Sequence, residues 1–233
     1  MFQVDFYRSY FDLDTDTFFK KIKTAMNPFA TQGNVDGLNG APTFELYGFI
    51  WITSSLVLLM FISSTGATLL AQWLYSSKEK YEYDFSQLTF SVAVFYGYNI
   101  IVPGVLFAIT TWLLKFPHRL SLPTVISIYG YTNVLWFPIT IINVIVAVII
   151  NKNKHRVFLN VVEWIIVLVS GLITGFSNLR QLSPILLRNC LSIKDVKPEV
   201  NPRRLHIIIL SSLALIHLVF SVIVKISCFG VRA

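Results

Sequence analysis

The chain has 233 residues, of which 55% are hydrophobic and only 13% charged, with a mean hydropathy of +0.65; a water-soluble domain of that length needs far more charge to cover its surface. The formal charge of +7 does not point to nucleic acid, because most basic residues flank apolar runs, where they set topology and meet anionic headgroups. Cys190 and Cys228 fall towards opposite ends of the apolar bulk, so no internal disulfide is expected.

Residues 1–45 are polar and aromatic with scattered charge. They lack the basic start and short apolar stretch of a cleavable signal peptide, so the first span is expected to act as the insertion signal. Within this arm, "DLDTDTFFKKIKTAMNP" supplies Asp14, Thr15 and Asp16 as cap candidates, then Phe18, Phe19, Ile22 and Met26 at helical spacing, and Asn27-Pro28 as a stop. Lys20, Lys21 and Lys23 interleave with that stripe. A short amphipathic helix follows, either lying in the headgroup layer or packed on the arm's own membrane domain. Asp12, Asp14 and Asp16 imitate the start of a calcium loop, but its sixth position is Thr17 and its twelfth Lys23, so the acids read as caps.

Charge-free stretches at 46–77, 85–114 and 121–151 each exceed the roughly 20 residues that cross a bilayer core. Two more apolar stretches, 157–179 and 205–229, hold one ionised residue each, Glu163 and Lys225. The expected architecture is an all-α integral membrane protein: a cytosolic arm, 1–48, and a five-helix membrane domain, 49–229, with spans at about 49–74, 86–114, 122–150, 157–179 and 205–229. Between the last two spans, "RQLSPILLRNCLSIKDVKPEVNPRR" contains Pro184, Pro198 and Pro202 and reads as a loop with one short interfacial helix near 184–193. With the N-terminus inside, the connecting segments hold twelve Lys and Arg inside against six outside, which favours a cytosolic N-terminus and a luminal C-terminus.

A charge in hydrocarbon costs at least ~2.5–3.5 kcal/mol and usually has a reason. In this topology Glu163 lies six residues into span four, Lys225 four residues from the same end of span five, and Asn143 about two turns below that end of span three. All three fall in one layer, with His217 a further candidate along span five. A Glu163–Lys225 pair resolves both charges, as an inter-helix staple or as part of a conducting path. No phosphate-binding glycine loop, H-E-x-x-H or C-x-x-C occurs, and the four histidines share no ligand spacing. No catalytic residue, metal or cofactor is therefore expected, and an intramembrane enzyme is the least supported reading.

Two glycine motifs carry a resemblance. "ELYGFIWI", 45–52, resembles the D-L-Y-G-P-F-W-I signature of the Yip family, Rab/Ypt-interacting membrane proteins of the early secretory pathway and Golgi; "IYGYTN", 128–133, resembles that family's Y-G-Y-S element in the third span. "DFYRSYFDLDT" is similar to the arm of the branch containing the human Golgi Yip-domain members one and two and fungal relatives, and "IHLVF" in span five matches that branch in placement. Glu45 stands where the family has Asp, and Phe49 where it has Pro, removing a helix-start residue. The resemblance implies a non-enzymatic protein of vesicle-mediated, ER-to-Golgi transport in the Golgi membrane, cycling through ER or late Golgi vesicles. Its implied partners are Rab/Ypt small GTPases, other Yip-family membrane proteins and membrane lipids, engaged at Glu45, Leu46, Tyr47, Gly48, Tyr129, Gly130 and Tyr131. The same residues could equally form a packing motif needed only for folding. A lipid, ion or proton conduit using Glu163, His217 and Lys225 is the alternative function.

Overall fold

The structure is a computed structural model that describes residues 8, 10–27, 45–74, 85–118, 120–149, 156–193, 199 and 201–228. Lys78, Lys80, Arg119, Lys152, Lys154, Lys194, Lys197 and Arg232, all counted for orientation, lie outside them, as do Phe6 and Tyr7 of the arm. Among the described residues there is no strand, and five helices are long and apolar enough to cross a membrane.

The arm contributes α1, Thr15–Met26. Span one is α2, Tyr47–Leu74. Span two is α3, Ser86–Ala108, continued by a π-helical turn at Ile109–Leu113. Span three is built from α4, Leu122–Thr132, a 3-10 turn at Asn133–Leu135, and α5, Trp136–Ile149. Pro138, in the first turn of α5, cannot donate to a carbonyl one turn back, which accounts for the tightened backbone just before it. Spans four and five are α6, Arg156–Ile193, and α7, Pro202–Cys228.

One expectation fails in part: 180–183 are helix, not loop, and the helix expected at 184–193 is not a separate interfacial one but the continuation of span four. α6 runs without a break through Pro184, and at 38 residues it is ~57 Å long, well beyond a bilayer core. The reason is burial: Leu182, Leu186, Cys190 and Ile193 recur at helical spacing and close one core cluster with Phe116, Leu120, Val125 and Leu213. A second cluster, around Leu56, Met60, Phe95, Trp136, Phe220 and Val224, fills the bundle towards the other end.

α6 and α7 pack face to face, and the small residues of α6 permit it. A Cβ on Gly171 would fall 2.2 Å from Ser221 Oγ, and one on Gly175 would fall 2.6 Å from His217 Cδ2. Gly171 and Gly175 form a G-x-x-x-G pair, the spacing by which membrane helices approach closely.

Candidate functional site

The two glycine motifs meet. Gly48 opens α2 beneath the ring of Tyr131: an added Cβ would stand 2.3 Å from Tyr131 Cζ and 2.7 Å from its hydroxyl oxygen. Gly130 faces the α2 backbone itself, where a Cβ would lie 2.5 Å from Phe49 Cα. Each motif thus supplies the glycine that the other needs. Phe49 sits in the first turn of α2, 6% exposed, with its ring edge-on to Tyr96 at 5.4 Å; the absence of a helix-start proline leaves the helix start intact.

Glu45 is buried, with its side chain 0% exposed. Its Oε1 accepts from Lys21 Nζ at 2.6 Å and from Ser127 Oγ at 3.3 Å, and its Oε2 takes a longer bond from the Gly48 N–H at 3.4 Å. A carboxylate ahead of a helix N-terminus complements the positive end of the helix, and here it also ties α1, α2 and α4 together. The Leu46 N–H donates to the Tyr10 carbonyl at 2.8 Å, a second link between arm and span one.

α1 therefore packs on the bundle. Ala25, fully buried, joins Ile52 and Tyr131 in a core cluster flanked by Phe18, Ile22, Val134 and Phe137. Ser177 Oγ donates to the Ala25 carbonyl at 2.9 Å. Phe18 lies 5.8 Å from Tyr47 and 5.9 Å from Tyr131, ring to ring, and Lys21 Nζ sits 5.5 Å from the Tyr131 centroid. The apolar stripe read from the sequence is split by this docking: Phe18 and Ile22 face the bundle, whereas Phe19 and Met26 are 62% and 52% exposed. Of the seven motif residues Tyr47 is the exposed one, at 37%, with its ring 6.2 Å from that of Trp51; Tyr129 and Tyr131 are buried.

Deeper in the bundle, Lys225 Nζ donates to Glu163 Oε2 at 2.6 Å, with side chains 2% and 6% exposed, and the ammonium stands 5.8 Å from the Trp164 ring centre. Asn143, on α5, keeps a buried Oδ1 with no hydrogen-bond partner among the described residues. His217 does not join the Glu163–Lys225 pair: it lies eight residues before Lys225, ~12 Å along the helix, and is taken up elsewhere. Its Nε2 sits 2.9 Å from the Gly171 carbonyl and 2.9 Å from Thr174 Oγ1, and its Nδ1 is 2.6 Å from the Tyr98 hydroxyl. A carbonyl only accepts, so Nε2 carries the proton, and a neutral ring then accepts from Tyr98 at Nδ1. Sequence reading missed Tyr98, Thr174, Gly171 and Gly175; the G-x-x-x-G spacing was the available signal for the glycines, while nothing local marks Tyr98.

A buried clamp of paired motifs, one buried ion pair and glycine-mediated helix contacts, carried on five apolar helices, defines a multi-span α-helical membrane protein. Over 175 residues, 70% of this chain and 53% of the relative, it is 29% identical to Protein YIP5 of Saccharomyces cerevisiae. It is 28% identical to the Protein YIPF1 homolog of Dictyostelium discoideum over 75% of the chain and 44% of that protein. Against Protein YIP5 of Schizosaccharomyces pombe it is 28% identical over 42% of the chain and 37% of the relative. The chain is thus similar to Yip proteins over up to three quarters of its length, in keeping with the resemblance of its two glycine motifs, and it spans about half or less of the length of these curated relatives. No family model and no solved structure matches it.

Proposed function

We propose that the chain is a non-enzymatic Golgi and secretory-pathway membrane protein that binds Rab/Ypt GTPases and other Yip-type membrane proteins in support of vesicle-mediated transport. The observation that carries this reading is the convergence of both family motifs on one contact, from which Tyr47 alone turns outward beside Trp51. A partner meets Tyr47, while Glu45, Gly48, Gly130 and Tyr131 hold that surface in place; Tyr129 is buried in the other core cluster, beside Tyr98. The conduit reading gains nothing from the geometry, since Glu163 and Lys225 answer each other and both His217 ring nitrogens are engaged.

The test is partner recovered per folded molecule in detergent pull-downs from Golgi membranes. Tyr47→Ala, which removes a ring at the edge of the clamp, against Phe18 and Trp51, and leaves Glu45, Gly48, Gly130 and Tyr131 in place, is expected to lower recovery of a Rab or Yip-type partner severalfold at normal protein abundance, and Tyr47→Phe separates the hydroxyl from the ring. Unchanged recovery for Tyr47→Ala would leave the motif as packing alone.

The same reading places the N-terminus in the cytosol and the C-terminus in the lumen. Single cysteines at positions 79 and 195 report on it with a membrane-impermeant thiol reagent. In sealed Golgi vesicles position 195 is expected to label and position 79 to be protected until the membrane is opened; the reverse pattern inverts the topology.

A further inference from the structure

α1 has two faces, and the bundle accounts for one. Phe18, Lys21, Ile22 and Ala25 point inwards, while Phe19, Lys20, Lys23 and Met26 form an exposed stripe along the opposite side, at the i, i+4, i+7 spacing of one helical surface.

The depth of α1 decides what that stripe meets. Its contacts run from the entry of span one, through Lys21–Glu45 and Phe18–Tyr47, to Tyr131 on α4 and Ser177 on α6. Tyr131 lies nine residues past the start of α4 at Leu122, ~13 Å along the axis, and Ser177 sixteen residues before the end of the 38-residue α6 at Ile193, ~24 Å. Ile52 is already past the first turn of span one. α1 lies alongside the bundle rather than beneath it, and the ring chain Phe18–Tyr47–Trp51 makes its flank continuous with the outer face of an apolar 28-residue span. Exposed Phe19 and Met26 on that flank are suited to acyl chains. Lys20 and Lys23, on long stems beside them, are suited to reach headgroup phosphates. Lys21, the third lysine, is committed to Glu45.

We infer that α1 is a wedge between bundle and lipid: its inner face clamps the two glycine motifs, and its outer stripe, Phe19, Lys20, Lys23 and Met26, is a docking surface for the anionic headgroups of the leaflet in which span one begins. This stands independently of the Rab reading, because it concerns lipid and not a protein partner. It makes lipid charge a determinant of how firmly the arm holds the motif clamp closed.

Spin labels test it on the full chain in nanodiscs of phosphatidylcholine, with or without phosphatidylserine. On a Cys190→Ser, Cys228→Ser background, labels at Phe19→Cys and Met26→Cys are expected to collide more with oxygen than with a water-soluble nickel chelate, and a label at Asp14→Cys the other way round. The Lys20→Gln, Lys23→Gln double variant changes only exposed side chains. Its preference for spin-labelled phosphatidylserine over phosphatidylcholine is expected to fall on the order of fivefold, with folded yield unchanged. Nickel-dominated collisions at 19 and 26 would overturn the proposal, as would an unchanged lipid preference in the double variant. Dipolar broadening between labels at Lys23→Cys on two chains would overturn it too, since a second copy would then cover the stripe.

Discussion

Lys225→Ala is expected to lower the stability of the folded protein by about 3–5 kcal/mol, the usual cost of stripping one partner from a buried ion pair. The Glu163 carboxylate would be left in a site 5% exposed, without the donor 2.6 Å away that satisfies it. Glu163→Ala acts in the same direction, leaving an ammonium beside the Trp164 face, where cation–π attraction offsets only part of the desolvation. The charge-swapped double variant, Glu163→Lys with Lys225→Glu, should recover much of the loss, because the two groups face each other across the α6–α7 contact and couple directly. A Glu163→Leu, Lys225→Met variant should come close to the parent, since apolar side chains of similar volume often replace a buried pair without penalty. Thermal midpoints and folded yield in detergent decide it. If the charge swap is as damaged as the worse single variant, the pair is not a coupled unit.

The second large effect lies in the glycine clamp, where the two positions should respond differently to rescue. At Gly48 the obstacle to a Cβ is the Tyr131 ring, and at Gly130 it is the Cα of Phe49. Gly48→Ala and Gly130→Ala are both expected to destabilise, by ~1–3 kcal/mol or more, as overpacking of a filled core does. Removing the opposing ring with Tyr131→Ala should relieve Gly48→Ala, making the double variant less damaged than the sum of the singles. Phe49→Ala should do much less for Gly130→Ala, because backbone cannot be trimmed. Gly48→Leu and Gly130→Leu together should be non-additive, since both wedge open the contact between α2 and α4. Strict additivity in fluorescence-detected gel filtration would mean that the motifs do not share one contact.

Much of this was legible in the chain itself. Long charge-free stretches announce spans because hydrocarbon accepts a backbone only when its polar groups bond internally, and that constraint acts on composition rather than on partners. The five spans follow, and the family likeness follows from two short motifs whose glycines no other residue can replace at such separations. The limits of 180–193 were not legible. Pro184 argued for a break, but burial of Leu182, Leu186, Cys190 and Ile193 against Phe116 and Leu120 outweighs the missing hydrogen bond. Depth along the spans put Glu163 and Lys225 in one layer, yet depth says nothing about azimuth, and only the packing of α6 on α7 turns the two side chains towards each other. The same gap kept His217 nominally beside them; its partners Tyr98, Thr174 and Gly171 come from two other helices, and a sequence carries no record of which faces meet. The arm shows the division most sharply. Its helix, Thr15–Met26, follows from spacing and a proline stop, but an amphipathic stripe fits a bundle and a bilayer equally well. Only the packing gives Phe18 and Ile22 to the bundle and leaves Phe19 and Met26 outside, the rotation of α1 at which Ala25 is buried and Lys21 reaches the buried Glu45 carboxylate.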